Sequence, residues 1–276
     1  MLYEKMKRQL FFSMLILLSF IMKAQQNDTA FLRFNKVATV HKYQFVHAFE
    51  GNEDTCLLEL KKFNKNSDII FHRTDMGCIG WNNTEERFFT YYNDQLQTLE
   101  IRRDNLPYAK SLFEYDDLND PIKIATHYSE TNDTLVSVNE YYRNSKNRMD
   151  STIARRKNNS GEQSQIKNVY RYDKRKNLVQ EYTTDESGTP LSMVSYERLS
   201  DGKMKSKAIT IYGDNPIFKQ IYYEYDQNGR VFSTVDSQNR KQLFFYKKNG
   251  LLNNVLTYNG NGALEVEFLF NYTYHK

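Results

Sequence analysis

The feature that most restricts this chain is a turn that keeps coming back. An aromatic residue is followed by Asp, Asn or a charged residue, then a polar turn, then an aliphatic residue six positions after the aromatic. The pattern is clearest at Phe63 (FNKNSDI), Tyr172 (YDKRKNL), Tyr225 (YDQNGRV), Tyr246 (YKKNGLL) and Tyr258 (YNGNGAL). Looser versions start at Tyr92, Tyr115, Tyr142 and Tyr196. Second turns fall between them, around residues 103–105, 130–134, 158–161, 185–188, 213–216 and 236–239. The chain therefore reverses about every 10–17 residues, the rhythm of short antiparallel strands.

Turn chemistry agrees. The 27 Asn residues are concentrated in these turns, and Asn tolerates the left-handed backbone region that most residues avoid. Asn228-Gly229, Asn249-Gly250, Asn259-Gly260 and Asn261-Gly262 are strong hairpin signals. Gly229, Gly250 and Gly260 are expected as turn glycines, and Asp173 and Asp226 as carboxylates bonding their own turn backbone. In the last segment Leu264, Val266, Phe268, Phe270, Tyr272 and Tyr274 share one face of a half-buried strand. The predicted fold is all-β: a long antiparallel meander of repeated hairpins. With roughly 14–18 strands it must twist strongly, curl into a partial barrel or shell, or split into layers. Residues 25–110 form an N-terminal β portion and residues 111–276 the repeat region, and the two are equally readable as one continuous domain.

Residues 1–24 differ in character from the rest of the chain. Lys5, Lys7 and Arg8 precede an apolar run at 10–22. As a helix that run rises ~20 Å, short of a ~30 Å hydrocarbon core. Ala24 and the polar residues 25–28 complete the layout of a secretory signal peptide, with cleavage after Ala24. The formal net charge is +4. The leader holds Lys5, Lys7, Arg8 and Lys23 against Glu4, so the mature chain is net +1. A nearly neutral chain lacks the global field that nucleic-acid binding needs. No other segment reads as a membrane-spanning helix. Export to the periplasm, the cell surface or the medium then gives the two cysteines a meaning: Cys56 and Cys78 are expected to form a disulfide, worth ~3 kcal/mol in the chain-entropy picture.

The segment Tyr223-Glu224-Tyr225-Asp226-Gln227-Asn228-Gly229-Arg230-Val231 resembles the YD repeat of bacterial RHS-type secreted and cell-surface proteins, and residues 169–178 (VYRYDKRKNL) match with Lys176 in place of Gly. The resemblance extends over residues 110–276 and faintly over 55–110. It implies long antiparallel meanders that curl into shells or strips. A weaker resemblance, carried by residues 244–252 (FFYKKNGLL), is to MORN-like repeat proteins of the antitoxin type.

No catalytic signature stands out. The nucleophile-elbow, zinc-protease, P-loop and dinucleotide patterns are all missing from the sequence. Asp116, Asp117, Asn119 and Asp120 make an acidic turn without the alternating spacing of a calcium loop, so neither a metal nor a cofactor is expected. The aromatics are the remaining lead. Tyr222, Tyr223, Tyr225, Phe244 and Tyr246 are candidate contacts for a protein or glycan ligand, set against an ordinary cross-strand packing role. The functional expectation is an exported, non-catalytic β-repeat binding protein. The alternatives are an outer-membrane β-barrel, which a leader plus many aromatic strands also suits, and an antitoxin-like repeat protein. Intact mass of the exported protein, measured after alkylation without reductant, should show a chain beginning at or near Gln25 with no alkylated thiol. A retained Met1 would remove the leader assignment, and two alkylated thiols the disulfide.

Overall fold

The computed structural model describes residues 32–47, 53–75, 83–145 and 147–276. The leader and Cys78 lie outside the described residues. A short helical turn at residues 32–34 leads into eighteen strands. The first six are β1 (Val37–His47), β2 (Glu53–Phe63), β3 (Ile69–Asp75), β4 (Thr84–Tyr92), β5 (Gln95–Arg103) and β6 (Leu106–Tyr115). The next six are β7 (Pro121–Tyr128), β8 (Asp133–Arg143), β9 (Met149–Lys157), β10 (Gln163–Tyr172), β11 (Leu178–Asp185) and β12 (Pro190–Arg198). The last six are β13 (Met204–Ile211), β14 (Ile217–Tyr225), β15 (Val231–Asp236), β16 (Lys241–Tyr246), β17 (Leu252–Tyr258) and β18 (Leu264–Tyr274).

Each strand pairs antiparallel with the next, and β18 returns to pair with β1 from Val37↔Tyr274 to Val46↔Val266. The sheet is therefore a closed up-and-down barrel, not the partial barrel or shell expected from the repeats. Closure is favoured because it leaves no edge strand with unpaired backbone groups. Following opposite residues once around the ring displaces the register by about 20 residues, which tilts the strands ~40° and gives a circular section a backbone diameter of ~33 Å. Strands from both halves of the chain belong to this one sheet.

The repeated turn builds one end of the ring, except for its last copy, which follows β17 and so lies at the other end. The predicted aromatic and the aliphatic residue six positions on are directly opposite partners: Phe63↔Ile69, Tyr115↔Pro121, Tyr172↔Leu178, Tyr225↔Val231, Tyr246↔Leu252 and Tyr258↔Leu264. In each case the register shifts at that pair, so the residue after the aliphatic is a β-bulge. Bulges add right-handed twist and bend the sheet, which is how this meander curls enough to close. Three anchors differ from expectation: Arg143 and Arg198 hold the places given to Tyr142 and Tyr196, opposite Met149 and Met204, and at Tyr92 the chain makes a two-residue turn in which Tyr91 faces Leu96. Tyr142 points outward instead and is 46% exposed.

Within the turns the aspartates act as expected. Asp226 Oδ1 accepts the amides of Asn228 and Arg230, each at 2.9 Å. Asp173 Oδ1 accepts Asn177 N at 2.8 Å, and Asp116 Oδ1 accepts those of Leu118 and Asp120. The fourth turn residue is left-handed, with φ 76° at Gly229 and 84° at Gly250, and Asn fills the same place at Asn119 and Asn239. In the last turn that residue is Gly262 at φ 81°, not the expected Gly260. Gly260 is required for space: a Cβ there would lie 2.6 Å from the Gln238 carbonyl oxygen.

Burial separates the two faces of the ring. On β6, Ala109 and Ser111 are buried while Leu106, Lys110, Leu112 and Glu114 are exposed. Carrying that alternation through the register puts Phe244, Val255, Phe268 and Tyr272 inward, and Tyr222, Phe245 and Lys241 outward. A small cluster of Val37, Phe63 and Leu251, with Leu32, Val40, Ile69 and Tyr272 against it, closes the seam where the first and last strands meet. Cys56 lies on β2 opposite Gln44 and carries no free thiol. Gly229→Val forces a branched Cβ into the left-handed region and should cost ~1–2 kcal/mol, while Gly229→Asn should cost far less. Urea unfolding midpoints measure this, and equal midpoints for the two variants would contradict the turn geometry.

Candidate functional site

The inward face is the surface with most chemistry to offer. Its aromatics fall into two groups. Near the repeat end, tyrosines join one repeat to the one before. The hydroxyls of Tyr225, Tyr246 and Tyr272 donate to the carbonyls of Met204, Val231 and Leu252 at 2.7, 2.7 and 2.8 Å. Each acceptor is the aliphatic residue of the preceding repeat. Tyr141 likewise donates to Pro121 O at 2.9 Å. The cation in the preceding turn also sits over the ring: Lys203 over Tyr225, Arg230 over Tyr246 and Lys247 over Tyr272, at 5.4, 4.6 and 4.8 Å. A hydrogen bond of this kind contributes ~1 kcal/mol and a cation–π contact ~0.5–1 kcal/mol. Tyr225 and Tyr246 are thereby occupied in holding the barrel together.

The second group lines the middle of the lumen. Tyr223 stands opposite Thr234, and Phe244 opposite Val255. Of the five predicted aromatic contacts, four therefore face the lumen and Tyr222, 46% exposed, faces outward. They do not form one ladder: Tyr223 and Phe244 remain available to a ligand, and Tyr222 belongs to a different surface.

Sequence reasoning missed a charged cluster on the inward face of β1–β3. Glu59 accepts Lys42 Nζ at 3.1 Å and also lies 3.2 Å from Lys61 Nζ and 3.5 Å from His72 Nε2. Beside it Glu85 holds Arg87 at 2.5 Å and Arg103 at 3.2 Å. Burial alone would push the Glu59 carboxyl up; His72, Lys61 and Lys42 outweigh it and hold the carboxyl far below the usual range. Burial pushes His72 down, despite its contact with Glu59. The signal in the sequence was Glu59 and Lys61 two apart with His72 beyond the next turn, which becomes a cluster only once the register Lys61↔His72 is known. Among the described residues no group of acidic, His or Cys side chains could hold a metal ion. The acidic turn at 116–120 is engaged internally, with Asp120 paired to Arg143.

No known family profile and no curated protein matches the chain. Among solved structures it is similar to a porin-like protein from Bacteroides uniformis ATCC 8492, with TM-score 0.43 and 8% identity over 86% of this chain and 98% of that one. It is also similar to a porin-like protein from Bacteroides vulgatus ATCC 8482, with TM-score 0.37 and 10% identity. A third is the TcdB2-TccC3-Cdc42 structure, with TM-score 0.38 and 10% identity, where 14% of that chain is covered. Likeness at this level assigns no function.

The Glu59 cluster has a consequence for pH. A carboxyl lowered by folding stabilises the protein above its ordinary pKa of 4.5, and that contribution is lost as pH falls below it. A histidine kept neutral by burial also costs stability once pH falls below its ordinary 6.5. Glu59→Gln should therefore be less stable than the parent at pH 7 by on the order of 1–3 kcal/mol. That gap should narrow steadily between pH 4.5 and 3. Thermal melts across this range check it, and a constant gap would mean Glu59 is not ionised and paired as described.

Proposed function

We propose that the protein is an exported, non-catalytic barrel that receives a ligand in its lumen while its outer surface faces water. The observation carrying this reading is the distribution of charge between the two faces. The outward face holds exposed ion pairs: Glu100–Arg102 at 2.9 Å, Glu114–Lys123 at 2.6 Å, Glu197–Lys205 at 2.7 Å, and Glu140–Arg155. β10 presents Gln165, Lys167 and Arg171 on that side. A barrel in lipid needs an apolar outer band ~25 Å tall, and one Lys or Arg at its midplane costs ~2–4 kcal/mol. The adjacent strands β15 and β16 have 6 residues each, which at ~40° of tilt rise only ~15 Å. The inward face mixes Ile, Val, Phe and Tyr with many polar and charged groups, among them Lys42, Glu59, Arg87, Ser111, Thr183 and Asp236, so a ligand there would meet both apolar contacts and hydrogen-bonding partners.

A second reading, an outer-membrane barrel, is favoured by a different observation. The ring closes with an even number of strands, and the described start and end of the chain lie at the same end as the tight repeat turns. That arrangement also suits a barrel inserted from the periplasm. The outward ion pairs weigh against it.

Two measurements separate the readings. The exported protein should be recovered in the aqueous phase without detergent; recovery only in detergent micelles would replace the first reading with the second. On a panel of glycans and peptides, Tyr223→Ser should reduce ligand retention about tenfold, and the outward Phe245→Ser should leave it unchanged. The reverse pattern would place recognition on the outer surface.

A further inference from the structure

The lumen wall contains one recess with a definite chemical bias. It lies on the inward side of β14–β17, has a volume of about 170 Å³, and is lined by Lys219, Ile221, Thr234, Asp236, Gln242 and Thr257, with Arg240 at its rim. Asp236 organises it. Only 8% exposed, this carboxylate uses Oδ1 to accept the amides of Gln238 and Arg240 at 2.9 and 3.0 Å. Its Oδ2 lies 3.3 Å from Lys219 Nζ and 3.7 Å from Arg240 Nε. One fixed, buried acid thus positions two cations, and the group as a whole carries one positive charge in excess. Lys219 and Arg240 keep 45% and 51% of their side chains exposed. Both retain donors for a second acceptor.

The rest of the lining narrows the choice of ligand. Gln242, which donates to the Thr257 hydroxyl at 3.3 Å, stands between Thr234 and Thr257, so amide and hydroxyl groups meet on one wall. Ile221 supplies an apolar patch, and Tyr223 lies two positions on, beside Thr234. Two cations call for an anion, the amide and hydroxyls for vicinal hydroxyl groups, and the Ile–Tyr strip for the C–H face of a ring. A volume of about 170 Å³ holds one six-membered sugar ring.

We propose that this recess is a subsite for a carboxylate-bearing sugar unit, a uronate, with the carboxylate on Lys219 and Arg240 and the ring hydroxyls on Gln242 and Thr234. The assignment deepens the lumenal-binding reading and rests on it. It also explains why the charge is arranged around a buried Asp236: an isolated Lys–Arg pair would repel, and the shared carboxylate holds both cations at one place while leaving their outer donors open.

The test is calorimetric titration of the full mature protein with glucuronate, glucose and inorganic sulfate at low salt. Glucuronate should bind with Kd of about 1 mM, as befits a ligand of its size, and glucose and sulfate each about tenfold more weakly. Lys219→Gln and Arg240→Gln should each weaken glucuronate about tenfold, whereas Lys241→Gln, next in sequence but facing outward, should leave it unchanged. Circular dichroism confirms that each variant is folded. Glucose binding as tightly as glucuronate would remove the role of the cations. Sulfate binding as tightly would reduce the site to a bare anion contact, and loss of binding in Lys241→Gln would move it outside the barrel; each result overturns the proposal. Detergent-dependent recovery with glucuronate binding intact would overturn the aqueous location alone. Aqueous recovery without glucuronate binding would overturn the subsite alone.

Discussion

The pairing of β18 with β1 is the contact on which the rest of the structure depends. In an open meander the strands from residues 37–47 and 264–274 would each present a row of unpaired N–H and C=O groups to solvent. Joined, they satisfy those groups and turn two distant ends of the chain into neighbours. Everything that can be called a site follows from closure. Before it there are two faces of a sheet; after it there is an inside and an outside, with different access to water.

Closure in turn depends on a device repeated along the chain. Each bulge after an anchor bends the sheet in the same sense, and each anchor tyrosine that reaches back to the previous repeat fixes the spacing of successive bends. Where the anchor is Arg, as at Arg143 and Arg198, the geometry survives through other bonds: Arg143 pairs with Asp120, and Arg198 donates to Gly202 O at 3.0 Å. The repeat is therefore specified by a backbone shape, and several side chains satisfy it. That is why it reads as degenerate at the level of residues.

The distribution of charge connects this architecture to function. Ion pairs on the outer face are exposed and contribute little to stability, about 0–1 kcal/mol each. The acids on the inner face are more enclosed, and there they position groups: Glu59 gathers Lys42, Lys61 and His72, and Asp236 gathers Lys219 and Arg240. The inner wall thus mixes aromatic and aliphatic side chains with fixed polar and charged groups.

Local features were legible in the sequence because their causes are local. The left-handed turn residue at Gly229, the capping by Asp173 and Asp226, the anchor–aliphatic spacing and the single face shared by residues 264–274 all follow from dihedral preference and strand alternation over a few residues. Where two tyrosines or a Tyr and an Arg competed for one anchor, as at Tyr142 and Arg143, the pattern alone chose wrongly, since only the cross-strand register distinguishes them. Closure was not legible, because it is set by the sum of small register shifts around eighteen strands, a quantity no single segment carries. For the same reason alternation could show that Tyr222 and Tyr223 lie on opposite faces but not which face is concave. The tertiary structure decided that, and with it whether each tyrosine points into the lumen or away from it.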